Sequence, residues 1–254
     1  MLDPKEEARF DELKSMCREL KVPAPPEIMI GLKVHDHNGV LTFDDVQRGH
    51  SWTRNFWNTL FAANPAKISN SSDSNFGAGY ISDRIEGGSI SNYPWGTTSQ
   101  VYFHTGSVGS SSYGIVVGTG DTAFSVEQFA LATKITSGNA ATQLAYSAGS
   151  SVVAAYTAGT KTWAFTMSRV FNNNSGSSIT VKEAGIMGIE TVSSSAVLQE
   201  RSVLSPTVAV ANGAQLTVTY KISQDFSAID SVSDFGISKI DKTTLRDIPA
   251  ISVV

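Results

Sequence analysis

The chain has 254 residues, of which 41% are hydrophobic, with a mean hydropathy of -0.05 and a formal net charge of -4. That is enough apolar material for a core, but no run approaches the ~20 apolar residues of a membrane-spanning helix, and the charge balance gives no reason to expect nucleic-acid binding. Cys17 is the single cysteine, which excludes a disulfide framework and a four-cysteine zinc site and suggests a reducing compartment.

Charge is unevenly placed. Residues 1–54 hold 18 of the 42 charged residues, eight basic and ten acidic. A solvated, helix-bearing arm is therefore expected first, followed by a body rich in Ser, Thr, Gly, Ala and Val that reads as all-β with many short strands. The boundaries expected are 1–26 for a helix and proline linker, 27–67 for a hairpin plus an aromatic helix, and 68–254 for the body. The charged start, MLDPKEEARF, does not resemble a secretory signal.

Asp3, Pro4 and Glu6 make a helix start: a cap, a first-turn proline and a capping-box acid. Phe10, Leu13, Cys17 and Leu20 then fall at spacings of three and four and form one apolar stripe. Pro23, Pro25 and Pro26 are expected to stop the helix and stiffen a linker. Such a stripe cannot bury itself, so it must dock on the body or on a neighbouring chain. Ile28–Val34 and Val40–Phe43 read as strands joined by His35-Asp36-His37-Asn38-Gly39, whose Asn-Gly pair signals a hairpin. Beyond Ser51, Trp52, Phe56, Trp57, Leu60 and Phe61 recur at helical spacing, an aromatic face dense enough for a buried anchor or an interface.

From Ile68 to Ser112 the pattern predicts long loops with short strands near Tyr80–Ile81 and Gln100–His104. Further strands are expected over Tyr113–Val117, Leu144–Tyr156, Thr162–Phe171 and Ser178–Ile189, with Asn172–Gly176 as a hairpin loop. Ser125–Ile135 is ambiguous. In Thr162–Phe171 the residues Trp163, Phe165, Met167 and Arg169 share one face. Thr207–Ala211 and Leu216–Ile222 flank an Asn212-Gly213 turn and read as a central hairpin, with Pro206 at the start of its first strand and Leu216, Val218, Tyr220 and Ile222 facing inward beside Trp163, Phe165 and Met167. Together these predict a mainly β fold, an antiparallel β-sandwich of jelly-roll type with an N-terminal helical arm.

Chemistry is thinly signalled. Gly118-Thr119-Gly120-Asp121-Thr122-Ala123 matches a dinucleotide glycine pattern, but Ile135–Ser151 lacks the acidic residue such a site needs, so a strand-to-loop turn is the better reading. His35, Asp36, His37, Asp44, Asp45 and His50 cluster where a turn is expected, and no complete metal-ligand set is visible. There is no G-x-S-x-G elbow, and Cys17 sits on an apolar helix face rather than in a nucleophile's setting. No catalytic residue, metal or cofactor is assigned.

Three segments resemble virion structural proteins of tailed bacteriophages: His35–Phe61 with its GHSWTRNFW core, Tyr113–Ile135, and Ser178–Ile222. The resemblance implies a β-sandwich component of a tail, neck or head surface, found in the virion after synthesis in the host bacterial cytoplasm, and without enzymatic activity. Its partners would be copies of itself and other virion proteins, with Phe10, Leu13, Cys17, Leu20, Trp52, Phe56 and Trp57 as candidate interface residues. The absence of a repetitive shaft favours a globular adaptor or decoration role over a fibre. A receptor-binding module is the alternative, in which Tyr93, Trp95, Tyr102 and Phe103 would stack on a cell-surface glycan.

Overall fold

The computed structural model describes residues 4–22, 24–49, 52–63, 81–86, 88–92, 101–150, 153–190 and 193–228. The expected Asp3 cap, Pro23, His50, Ser51, Tyr80, Tyr93 and Trp95 lie outside them, as do the side chains of Leu60, Phe61 and Tyr102. The chain is mainly β, with two helices among the described residues. The elements are α1 (Pro4–Glu19), β1 (Glu27–His35), β2 (Leu41–Arg48), α2 (Arg54–Ala63), β3 (Ile81–Ile85), β4 (Gly88–Asn92), β5 (Val101–Phe103), β6 (Gly114–Gly118), β7 (Ala145–Tyr146), β8 (Val153–Thr157), β9 (Thr162–Asn172), β10 (Ile179–Glu190), β11 (Ala196–Val210) and β12 (Gln215–Asp225).

One sheet runs β2-β1-β12-β9-β7, with β8 also paired to β9, and a second runs β11-β10-β5, with β6 also paired to β10. β3 and β4 form a separate two-stranded ribbon. The pairs β1–β2, β10–β11, β10–β5, β10–β6 and β7–β9 are antiparallel. Alternation explains the core. Ile28, Ile30, Leu32 and Val34 of β1 are buried, and so are Leu216, Val218, Tyr220 and Ile222 of β12, as their period of two requires. They share one hydrophobic cluster with Val181 and Ile186 of β10 and Leu198 and Val208 of β11.

Two expected hairpins are instead crossings between sheets. β11 belongs to one sheet and β12 to the other, so Thr207–Ala211 does not pair back on Leu216–Ile222. The same holds for the β9–β10 connection through Asn172–Gly176. Asn173 is the physical reason. Its backbone N–H donates to the Ala214 carbonyl (2.9 Å) and its own carbonyl accepts from Gly213 (2.7 Å). Its side chain donates to the Val210 carbonyl (2.7 Å), and Gly176 N–H donates to Asn212 Oδ1 (2.8 Å). The two turns therefore hold each other, and the tight Asn-Gly turn, with Gly213 at φ 81°, redirects the chain without closing a hairpin.

Pro206 falls inside β11 rather than at its start. Val181 pairs with Val208 and Glu183 with Val203, so residues 204–207 bulge from the ladder where proline has no donor to lose. Gln47 bridges this bulge: its side chain donates to the Val203 carbonyl (3.1 Å) and accepts from Ser205 N–H (3.0 Å). The strand expected over Leu144–Tyr156 is broken into β7 and β8. Gly149 donates to the Gly106 carbonyl (2.8 Å), and any side chain there would collide with the Thr105 carbonyl. Trp163, expected in the core with Phe165 and Met167, is exposed.

By contact the chain divides into a larger unit, Ile28–Val153 with Phe165–Ile222, and a smaller one from the segments Asp3–Glu27, Ala154–Ala164 and Ser223–Val254. In the smaller unit α1 ends before the prolines. Val22 N–H bonds the Cys17 carbonyl (3.0 Å) and Lys21 N–H bonds the Arg18 carbonyl (3.2 Å), with Lys21 at φ 54°. This is a Schellman ending with lysine where glycine is usual. Gln224 donates its side-chain N–H to the Ala24 carbonyl, and Phe226 N–H donates to the Lys161 carbonyl (2.9 Å).

Candidate functional site

Two buried arginines organise the larger unit, and they are satisfied in different ways. Arg201 of β11 and Glu183 of β10 pair at 2.6 Å with both side chains fully buried. They lie on one face because Val203 is directly opposite Glu183 and Arg201 is two residues along. Glu183 Oε1 also accepts from Gly120 (3.1 Å) and Thr133 (2.7 Å), and Oε2 from Ala132 (3.0 Å). The rest of the guanidinium donates to the Thr122 carbonyl (2.9 Å) and to Gln128 (3.2 Å). A buried ion pair is tolerable only when its remaining lone pairs and protons are engaged in this way. Gly118 ends strand β6 and Thr119-Gly120 lead on from it, and both glycines have a packing reason. A Cβ on Gly118 would meet the Thr133 carbonyl at 2.5 Å, and one on Gly120 would meet Glu183 Oε1 at 2.7 Å.

Arg169 of β9 is also fully buried, and its nitrogens go to backbone carbonyls: Ser147 (2.9 Å), Tyr113 and Ile115 (both 3.0 Å), Ser107 and Ser110 (both 2.7 Å). Its guanidinium lies 4.8 Å from the Tyr146 ring centroid. One side chain thus gathers the 107–115 loop and the β7 end onto β9.

Glu200 is different again. It is fully buried on the strand face opposite Arg201, with Ser202 Oγ donating to its Oε1. The Tyr220 hydroxyl lies against the same carboxyl, yet among the described residues neither that hydroxyl nor Glu200 Oε2 has a hydrogen-bond partner of normal geometry. Burial pushes the Glu200 pKa up to about 8, against the opposing pull of Ser202, Tyr220 and Arg201. Beside it a bulge at Gln199 seats the start of α2. Thr53 N–H donates to the Gln199 carbonyl (2.9 Å) and its hydroxyl to the Leu198 carbonyl (2.7 Å).

Over the Glu183–Arg201 pair lies a polar groove. Residues 132–135 are pinned by Glu183 from below and by two strand-like bonds, Thr119 N–H to the Thr133 carbonyl (2.8 Å) and Ile135 N–H to the Val117 carbonyl (2.9 Å). The Tyr146 hydroxyl caps the Ile135 carbonyl at 2.6 Å. With Ile135 buried, Lys134 and Thr136 are turned outward, and each lines two depressions. One, about 530 Å³, is walled by Phe129, Glu86 and Ser195 over a floor of Leu131 and Met187. The other, about 610 Å³, runs along Thr119, Thr142 and Thr180.

The residues singled out from sequence are scattered. Phe10 is half-buried beneath Lys14, whose Nζ is 4.9 Å from its ring centroid. Cys17 is buried and is a free thiol, while Leu13 and Leu20 are exposed. Trp52 and Phe56 stack at 3.7 Å inside the larger unit's own core, and Trp57 meets Phe56 edge-on with its outer side exposed. Trp52 precedes α2 and bridges Glu200 instead of forming part of the helix. Phe103, which the glycan-binding alternative would expose, packs among Trp52, Phe56 and Phe165. At the β1–β2 turn, Asp36 accepts from Val40 (2.9 Å) and Asn38 (2.8 Å), which hold its carboxyl below the usual range. Among the described residues no group of three or more His, Cys, Asp or Glu could hold a metal. Glu183, Glu200 and the Lys134 groove were not legible beforehand. The one signal was Arg169 and Arg201, charged residues inside otherwise apolar or small-residue strands.

No family model, curated protein or solved structure matches the chain.

Proposed function

We propose that the chain is a non-enzymatic structural component of a tailed-phage virion. It would be an adaptor-type tail or neck block with a jelly-roll-like β-sandwich body, assembling with copies of itself and with other virion proteins. One observation carries this reading. Among its described residues the smaller unit leaves Leu13, Met16, Leu20, Val22, Tyr156, Trp163 and Phe226 exposed. A subunit that meets neighbours requires such surface. The resemblance of His35–Phe61, Tyr113–Ile135 and Ser178–Ile222 to virion proteins supplies the kind of assembly. Arg169 and Arg201 fit a rigid block, since their donors are taken up by backbone and by Glu183.

Light scattering over a concentration series tests it. The protein should exceed its 27.0 kDa monomer mass, and Leu13→Gln, Met16→Gln and Leu20→Gln together should return it to that mass with unchanged circular dichroism. A wild-type chain that stays monomeric alone and is absent from purified particles by mass spectrometry would defeat the proposal.

A further inference from the structure

We infer that the groove centred on Lys134 binds an acidic oligosaccharide. The two depressions meet at Lys134 and Thr136, so together they form an extended trough instead of a closed pocket. Their size is that of small-ligand sites, roughly 300–1,000 Å³ each, which suits a chain of pyranose units passing from one to the other.

The lining chemistry selects among extended polymers. Thr119, Thr136, Thr180 and Ser195 offer hydroxyls that both donate and accept, matching sugar hydroxyls. Phe129 supplies a ring wall for the apolar face of a pyranose. Arg84 lies 4.5 Å from its centroid and holds the ring in place. A peptide would instead ask for a strand edge, but here the N–H groups of Ala132, Thr133 and Ile135 and the carbonyls of Thr133 and Ile135 are already engaged by Glu183, Val117, Thr119 and Tyr146, which leaves a pairing strand chiefly the Lys134 backbone.

Charge sets the preference. Lys182, on the wall of the second depression, is engaged by Asp121 at 2.8 Å. Lys134 has no carboxylate partner among the described residues and stands where the two depressions join, so a sugar carboxylate there would meet it. Glu86 is the one carboxylate among the described lining residues. It can accept sugar hydroxyls, but without a second acid across the groove there is no pair for glycoside hydrolysis. The floor of the trough is preorganised, because the Glu183–Arg201 pair fixes the segment that carries Lys134, and little ordering entropy is lost on binding.

Titration calorimetry with tetragalacturonate, maltotetraose and tetraglutamate tests this on the full chain. Tetragalacturonate should bind most tightly. Lys134→Gln should weaken it about tenfold, to the level of maltotetraose, and Phe129→Ala should weaken both sugars, with circular dichroism showing each variant folded. Equal binding of maltotetraose and tetragalacturonate would remove the acidic preference. No binding of either sugar at millimolar concentration, sugar binding indifferent to both substitutions, or tighter binding of tetraglutamate would overturn the assignment. The particle role proposed above stands or falls separately, on assembly alone.

Discussion

In the larger unit the ionisable side chains of Arg169, Glu183, Glu200 and Arg201 show almost no surface, whereas in the smaller unit Met16, Leu20 and Tyr156 are more than half exposed. The usual placement of charge and oil is inverted in both. In the larger unit the inversion is internally compensated, because nearly every buried donor has a named acceptor, and the charges tie loops to strands. In the smaller unit no described residue covers these apolar side chains. A satisfied interior beside such a surface is what the building-block role proposed above would use.

The sharpest way to break the comparison is to unpair a buried charge. Arg201→Ala strands Glu183 and should cost about 4 kcal/mol, lowering the urea midpoint with the slope retained. An unchanged midpoint would mean that water reaches Glu183 and that the interior is not finished. Arg169→Leu is the companion test. It leaves carbonyls rather than a charge without partners, so the cost should be smaller, about 3 kcal/mol. If Arg169→Leu proves the more damaging, loop gathering outweighs charge burial.

Glu200 is the exception within the larger unit, and pH exposes it. Its folded pKa of about 8 lies above the unfolded value near 4.5, so the folded state holds the extra proton between them. Stability from this group is full below about pH 4.5, falls by up to about 1.4 kcal/mol per pH unit as pH rises toward 8, and is flat beyond. The groups facing the carboxyl are the Ser202 and Tyr220 hydroxyls, with Arg201 turned away to Glu183. Thermal unfolding from pH 5 to 9 should show that decline, and Glu200→Gln should abolish it. A wild-type profile that rises over this range would show that Glu200 ionises freely in the folded protein.

The smallest effect belongs to the smaller unit. Lys21→Gly relieves a left-handed lysine at the end of α1 and should slow amide exchange across the helix about two- to fivefold. Faster exchange would mean that the lysine side chain holds the helix end.

Much of the strand pattern was legible because it is local. Ile28–Val34, Leu216–Ile222 and Phe165–Met167 bury the residues that a period of two assigns inward. Local grammar failed where a partner was distant. Asn212-Gly213 looks like a hairpin turn because the dipeptide fixes only the bend, and Asn173, nearly forty residues earlier, decides which strands the bend connects. Trp163 shares a strand face with Phe165 and Met167, but it stands near the start of β9 and is exposed, and burial along that face begins only at Phe165.

The sequence by itself determined a mainly β chain with an N-terminal helix, the inward faces of its long strands and the places where it must turn, since each follows from backbone preference and side-chain period over a few residues. Only the tertiary structure decided the sheet order, the burial of Glu200, the Glu183–Arg201 pair and the groove carried above it. These depend on which residues meet across long stretches of chain, as when Arg169 collects carbonyls from 107 to 147, and no local preference of the backbone encodes that choice.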